Sequence, residues 1–256
     1  MKTIKINESQ KNRLFEAYQE GFSFKKLSAL KDSWEKQYEY CCKWLGEPDG
    51  FGSSRCVFTL SDNIILKLAM GSRRDAGIAQ NETEFNFYKM TESPLLAKIY
   101  DSDESFTYIV CENVVPLELM DFEKILGMPF MSYWTQTTKP EKVNHYKDGD
   151  TTVGFNDYFD GSKGYAEEHK GITVYDVLCY IESNYVTDEP YNDFEIEEII
   201  NKTPWFKELE ELVEETGMTD FCNAENFGMV NRNGEPSIVL LDGGMNLDLW
   251  YKHYAD

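Results

Sequence analysis

Apolar residues fall at helical spacing through the first part of the chain. Asn7 is placed to cap a helix from about Glu8 to Glu20, with Leu14, Phe15 and Tyr18 on one face and Gly21 as its stop. Ser23 opens a second helix through Leu30. A third runs from Lys31 to Leu45, with Trp34, Tyr38, Cys41/Cys42 and Leu45 on one side and Gly46 at its end. The pattern changes at Gly50. Arg55–Leu60 and Ile64–Ala69 read as strands joined by the turn Ser61-Asp62-Asn63. Gly71–Gly77 reads as a charged loop and Ile78–Met90 as a helix. Leu95–Tyr100 and Phe106–Val110 form a hairpin across Asp101–Ser105. No strand is evident before Arg55.

Beyond Pro116 the periodicity loosens. Leu119–Leu126 reads as a short helix, and 128–170 shows no clear period, as in a long insertion. Val174–Tyr185 and Trp205–Glu215 read as helices. Near the end, Asn231-Arg-Asn-Gly234 supplies the turn of a hairpin whose second strand, Ser237–Leu241, delivers Asp242 at its end.

A length of 256 residues allows one large domain or two lobes. The formal charge of −21 opposes broad contact with nucleic acid or an anionic membrane, both of which need a basic field. The acid-dense stretch from Asp188 to Glu198 reads as a solvated face rather than a docking site for a cationic partner. No apolar run is long enough to span a bilayer, and the start lacks the apolar core of a signal peptide, so a cytoplasmic protein is expected. Six cysteines show no C-x-x-C spacing and read as buried, reduced thiols. The three histidines are isolated and receive no role.

Against this background a few residues stand out. Lys67 sits in the otherwise apolar Ile64–Ala69, where a strongly hydrated cation is costly unless it meets a carboxylate or phosphate. The helix after it carries Glu82 and Glu84. Glu84 is the expected partner, with Phe85 and Tyr88 as flanking anchors and Glu82 as the alternative. About 15 residues before Lys67, Gly50, Gly52, Ser53 and Ser54 offer backbone amides and hydroxyls suited to phosphate oxygens. The apolar run Tyr108–Cys111 emerges into Glu112 and Asn113, where backbone groups are placed to meet a purine edge. Asp220 is positioned as a general base, and Asn226 and Asp242 are oxygen ligands at a spacing suited to Mg²⁺ on nucleotide phosphates.

In these stretches, Gly52–Lys67, Gly77–Tyr88, Tyr108–Asn113 and Asp220–Gly244, the chain resembles the protein kinase-like superfamily, in particular small phage-encoded kinase-like proteins of unassigned role. The resemblance implies an α+β, protein kinase-like two-lobed fold. An N-terminal helical extension would occupy 1–46, a small nucleotide-binding lobe 47–115, and a truncated large lobe 116–256. It also implies ATP and Mg²⁺ as cofactors: Lys67 on the phosphates, Glu84 on Lys67, Asp220 as base, and Asn226 and Asp242 on the metal. The phosphoryl acceptor would be a protein or small-molecule hydroxyl. The step from Asp220 to Asn226 is six residues where the family has five, so alignment on Asn226 puts Phe221 at the base position. Only 12 residues follow Gly244, too few for an activation segment, so the large lobe would be completed by 116–216. The alternative is a degenerate pseudokinase serving as a binding or virion-associated module, with a host or phage protein as partner.

Overall fold

A computed structural model describes residues 21–117, 119–130, 172–232 and 234–255. The expected helix at 8–20 and nearly all of the irregular stretch 128–170 lie outside these residues. The chain is α+β and divides into two compact units. One holds residues up to Phe85 together with Lys98–Asn113; the other holds Asn86–Ala97 and Val114 onward. Among the described residues no helix is long and apolar enough to cross a membrane.

In the first unit, helix α1 spans Phe24–Ala29 and α2 spans Trp34–Leu45. Their starts are set by Ser23 and Ser33, whose side chains accept from the amides of Lys26 and Lys36. The cap at Ser33 is why α2 begins three residues later than the expected Lys31. Gly46 ends it at φ 92°, a backbone conformation that favours glycine. A five-stranded antiparallel sheet follows: β1 Gly50–Phe51, β2 Arg55–Ser61, β3 Ile64–Ala69, β4 Ile99–Ser102 and β5 Tyr108–Glu112, in the order β1-β2-β3-β5-β4. The strand missing from the sequence pattern is β1, whose two residues are too few to show any alternation.

Alternation along β2 and β3 divides this sheet chemically. Cys56, Phe58, Ile64, Leu66 and Leu68 join Leu27 and Cys41 in one core cluster. Residues 21–46 lie in the first unit, with their apolar face buried against its sheet. Buried Gln37 reinforces the join, donating to the carbonyl of Leu27 and to Thr107 Oγ1 at 2.8 Å. Arg55, Val57, Lys67 and Ala69 occupy the alternate positions, with Arg55 opposite Ala69 and Val57 opposite Lys67 in the β2–β3 register.

The charged segment expected as a loop is a single 3₁₀ turn, Gly71–Arg73, running directly into α3, Arg74–Thr91. Arg74 is half-buried there, and its guanidinium donates to the carbonyl of Lys31 and to Gln37 Oε1. Gly77 lies where α3 meets the strands. A Cβ at this position would stand 2.4 Å from the Ser54 carbonyl oxygen, so the helix reaches this depth only because the residue is glycine.

The second unit contains a three-stranded antiparallel sheet, β6 Val115–Pro116, β7 Phe227–Arg232 and β8 Glu235–Leu240. Among its described residues the helices are α4 Leu119–Leu126, α5 Val174–Tyr185, α6 Phe194–Lys202, α7 Pro204–Thr216 and α8 Leu247–His253. The sequence pattern did not show α6 or α8. Asp193 caps α6 inside the acid-dense stretch; Ile196 and Ile200 turn inward and Glu195, Glu197 and Glu198 stay exposed, so the solvated face is one side of a helix. The core joins α4, α5, α6 and α7 through Phe122, Leu178, Ile181, Ile200, Phe206, Leu209 and Val213, with Phe221 and Phe227 filling it from the late loop. Leu95 and Leu96, expected in a strand ahead of Tyr100, belong here: the Leu95 carbonyl accepts from Leu240 N at 2.8 Å.

Candidate functional site

In the first unit, β3 delivers Lys67 and α3 delivers Glu84 to the same face of the sheet. Lys67 Nζ donates to Glu84 Oε1 at 2.7 Å, and Arg55 Nη1 donates to Glu84 Oε2 at 2.9 Å. All three side chains are less than a tenth exposed, so one carboxylate holds two cations out of water. Arg55 Nη1 also reaches Asn81 Oδ1 at 3.1 Å, and Asn81 Nδ2 donates to the carbonyl of Phe106 at 2.9 Å. Of the two acids weighed, Glu84 is the one in contact with Lys67, and Glu82 is exposed. In the sequence Arg55 closes the Gly-Ser-Ser-Arg stretch and opens a strand, with no partner evident. Its role as second cation was not legible because it depends on β2–β3 register.

The small-residue loop divides. Gly52 N donates to the Arg55 carbonyl at 2.7 Å and closes the turn between β1 and β2. Gly50 lies in β1, where an added Cβ would meet nothing within 4 Å, and Ser53 is exposed. Ser54 departs from expectation: it is buried, and its hydroxyl donates to Gln80 Oε1 at 2.7 Å. It links β2 to α3, and that hydroxyl is engaged within the unit rather than offered to a phosphate. Glu112 ends β5. Its amide donates to the Lys98 carbonyl at 2.8 Å and its carboxylate accepts from the Lys98 amide at 3.2 Å, so this residue's own N–H serves the sheet instead of a purine edge.

In the second unit, α7 stops at Gly217, which adopts the left-handed conformation at φ 61° and donates to the Val213 carbonyl. Thr219 N then donates to the Met245 carbonyl at 2.9 Å. Asp220 is itself left-handed at φ 72°, uncommon for a residue other than glycine and tolerated best by Asp and Asn. It is exposed, whereas Phe221 is fully buried. Alignment on Asn226 would have put Phe221 at the base position; that position faces the core, and Asp220 is the outward side chain. Asn226 Nδ2 donates to the Asp220 carbonyl, which leaves Oδ1 as the acceptor end of the amide. The Asn226 carbonyl in turn accepts from Leu241 N at 2.8 Å, bringing the residue before Asp242 alongside Asn226.

Asp220 keeps access to solvent, yet the walls around its carboxyl displace much of its water. That desolvation, aided by the negative charges of Asp242 and Glu182, pushes its pKa above the ordinary carboxylate value. The native carboxyl thus holds its proton to higher pH than the unfolded one. Raising the pH through that window costs the folded state stability. Asp220→Asn, which tolerates the same backbone, is expected to raise the melting temperature at pH 7. The gain should shrink as the pH falls toward about 4, where the unfolded carboxyl is also protonated. Melting curves across this range check it; a difference independent of pH contradicts the charge origin.

A cavity of about 380 Å³ opens beside Asp220, lined also by Tyr175, Glu182, Cys222, Trp250 and Tyr251. Asn226 and Asp242 are not among its lining residues. The structure therefore brings Lys67 and Glu84 together in one unit, and Asp220, Asn226 and Asp242 together in the other. Glu182, Tyr175 and the cysteines beside them were not anticipated. Cys179 and Glu182 lie within an expected helix, but no local signal in the sequence connects them to Cys222. No protein-family model matches the chain, and no curated protein matches it in sequence.

Proposed function

We propose that this chain binds ATP with Mg²⁺ in a protein kinase-like manner and transfers the terminal phosphoryl group to a hydroxyl. Lys67, braced by Glu84, meets the phosphates. Asn226 Oδ1 and the Asp242 carboxylate hold the metal, and Asp220 orients the acceptor hydroxyl and takes its proton. The observation that carries this reading is the buried Lys67–Glu84 pair at 2.7 Å. Lys67 and Arg55 place two cations on one face of the sheet, and a nucleotide's phosphates are a chemistry that matches them. The oxygen donors Asn226 and Asp242 suit Mg²⁺, which prefers hard ligands and brings phosphate with it.

The internal use of the Ser54 hydroxyl favours the second reading, a pseudokinase that binds nucleotide as a module without transferring phosphate, with a host or phage protein as its partner. The enzyme reading requires nucleotide binding, and the pseudokinase reading allows a module that binds none. ATP with Mg²⁺ is expected to raise the melting temperature, a free-energy gain of about 2.7 kcal/mol at a hundredfold excess over Kd. No shift at millimolar nucleotide contradicts the enzyme and leaves a pseudokinase that does not bind nucleotide. Transfer of labelled phosphate by the wild type and not by Asp242→Asn separates active enzyme from module.

A further inference from the structure

The second unit carries a cluster that nucleotide binding does not use. Cys179 and Glu182 stand three residues apart on α5, neighbours on one helix face. Cys222 reaches them from the loop that follows Asp220. One donor atom from each of the three lies within 4.8 Å of the other two, and Cys222 Sγ donates to Glu182 Oε2 at 3.1 Å. All three are half-buried, and Glu182 and Cys222 line the 380 Å³ cavity. The helix that supplies two of the donors is held at its start by a reciprocal cap between Thr173 and Asp176, which fixes their spacing.

We propose that Cys179, Glu182 and Cys222 form a binding site for a thiophilic divalent cation, Zn²⁺ by its chemistry, with the fourth coordination position open to the cavity. Two sulfur donors and a carboxylate select Zn²⁺ over Mg²⁺, which takes oxygen ligands. Around one tetrahedral ion with Zn–S near 2.3 Å and Zn–O near 2.0 Å, neighbouring donors stand about 3.5–3.8 Å apart, so these three close on an ion by moving on the order of 1 Å. Three protein ligands are the number found in sites that keep a position for water or substrate, whereas structural zinc sites take four. Binding deprotonates both thiols, releases two protons to solvent, and sets the ion's two positive charges against two thiolates and a carboxylate. The site is distinct from Asn226 and Asp242, and it stands whether or not the chain binds nucleotide.

The test is titration of the reduced full chain with Co²⁺ under anaerobic conditions. A thiolate-to-cobalt charge-transfer absorption is expected, saturating at one equivalent and displaced by Zn²⁺. Cys179→Ser and Cys222→Ser should each weaken binding at least tenfold and lower the absorption. Cys42→Ala, in the first unit, should leave both unchanged. Glu182→Gln guards against a cysteine variant that fails to fold: it keeps both sulfurs, so the absorption should persist with weaker affinity. No absorption at one equivalent, or an unchanged one in Cys222→Ser, overturns the assignment. So does a chain isolated with a Cys179–Cys222 disulfide that, once reduced, takes up no metal.

Discussion

Glu84→Gln is expected to lower the free energy of unfolding by about 3–5 kcal/mol. The carboxylate of Glu84 is shared by Lys67 at 2.7 Å and Arg55 at 2.9 Å, with all three side chains nearly out of water. Glutamine keeps the volume, so no cavity opens, and the loss isolates charge. Two desolvated cations lose the carboxylate they share and face a neutral amide in its place. Removing Lys67 instead leaves the Glu84–Arg55 pair in place, so Lys67→Met should cost less than Glu84→Gln. That ordering separates a shared-carboxylate network from a simple pair. Glu82→Gln, on the exposed side of the same helix, should stay within about 0.5 kcal/mol of wild type. Urea unfolding without nucleotide measures all three. A Glu84→Gln loss below about 1 kcal/mol would mean the carboxylate is not balancing buried charge.

Phe122→Ala should cost about 3–5 kcal/mol, the range for truncating a buried phenylalanine. Phe122 is 1 % exposed and lies edge-on to three rings, Phe130 at 5.2 Å, Trp205 at 5.9 Å and Phe227 at 5.1 Å. The ring is enclosed by α4, α7 and β7, so the cavity has few ways to collapse. The consequence reaches the site through Phe227, which follows Asn226 directly and fixes where β7 begins. Loosening it frees the amide that bonds the Asp220 carbonyl and the carbonyl that receives Leu241 N. Hydrogen exchange at Leu241 should therefore rise in Phe122→Ala by more than at α6, whose own ring, Phe194, is exposed. Equal increases at both would show a general loss of stability with no specific link.

What the sequence disclosed follows from the range of the forces involved. Ile64–Ala69, Leu119–Leu126 and Val174–Tyr185 were readable to the residue because each carries its own periodicity and its own stop. Glu84 was readable because a lysine in an apolar strand needs a partner, and the next helix offers few. β1 was invisible at two residues. The turn into α3 was hidden because charged residues usually mark solvent, whereas Arg74 uses its charge as a tie to Lys31 and Gln37. The glycine and serine loop was read as a phosphate cradle. Its Ser54 is instead engaged by Gln80, and Gly77 is present because the Ser54 carbonyl lies where a side chain would stand. Those neighbours lie in the sequence stretches Gly-Ser-Ser-Arg and Gly-Ile-Ala-Gln-Asn, and only coordinates show that the two interlock. The cysteine cluster was illegible for the same reason: helix spacing relates Cys179 to Glu182, but the contact to Cys222 is made by tertiary packing alone.

The proposed function gives Lys67 the phosphates of ATP and gives Asn226 and Asp242 its Mg²⁺. Calorimetric titration of ATP, with and without Mg²⁺, into wild type, Lys67→Met and Asp242→Asn tests it most directly. Wild type should bind ATP more tightly when Mg²⁺ is present. Asp242→Asn should bind ATP as wild type does without metal and gain nothing from adding it, and Lys67→Met should be weakened in both conditions. Absence of binding by wild type at millimolar ATP, or a full Mg²⁺ gain retained by Asp242→Asn, would contradict the account.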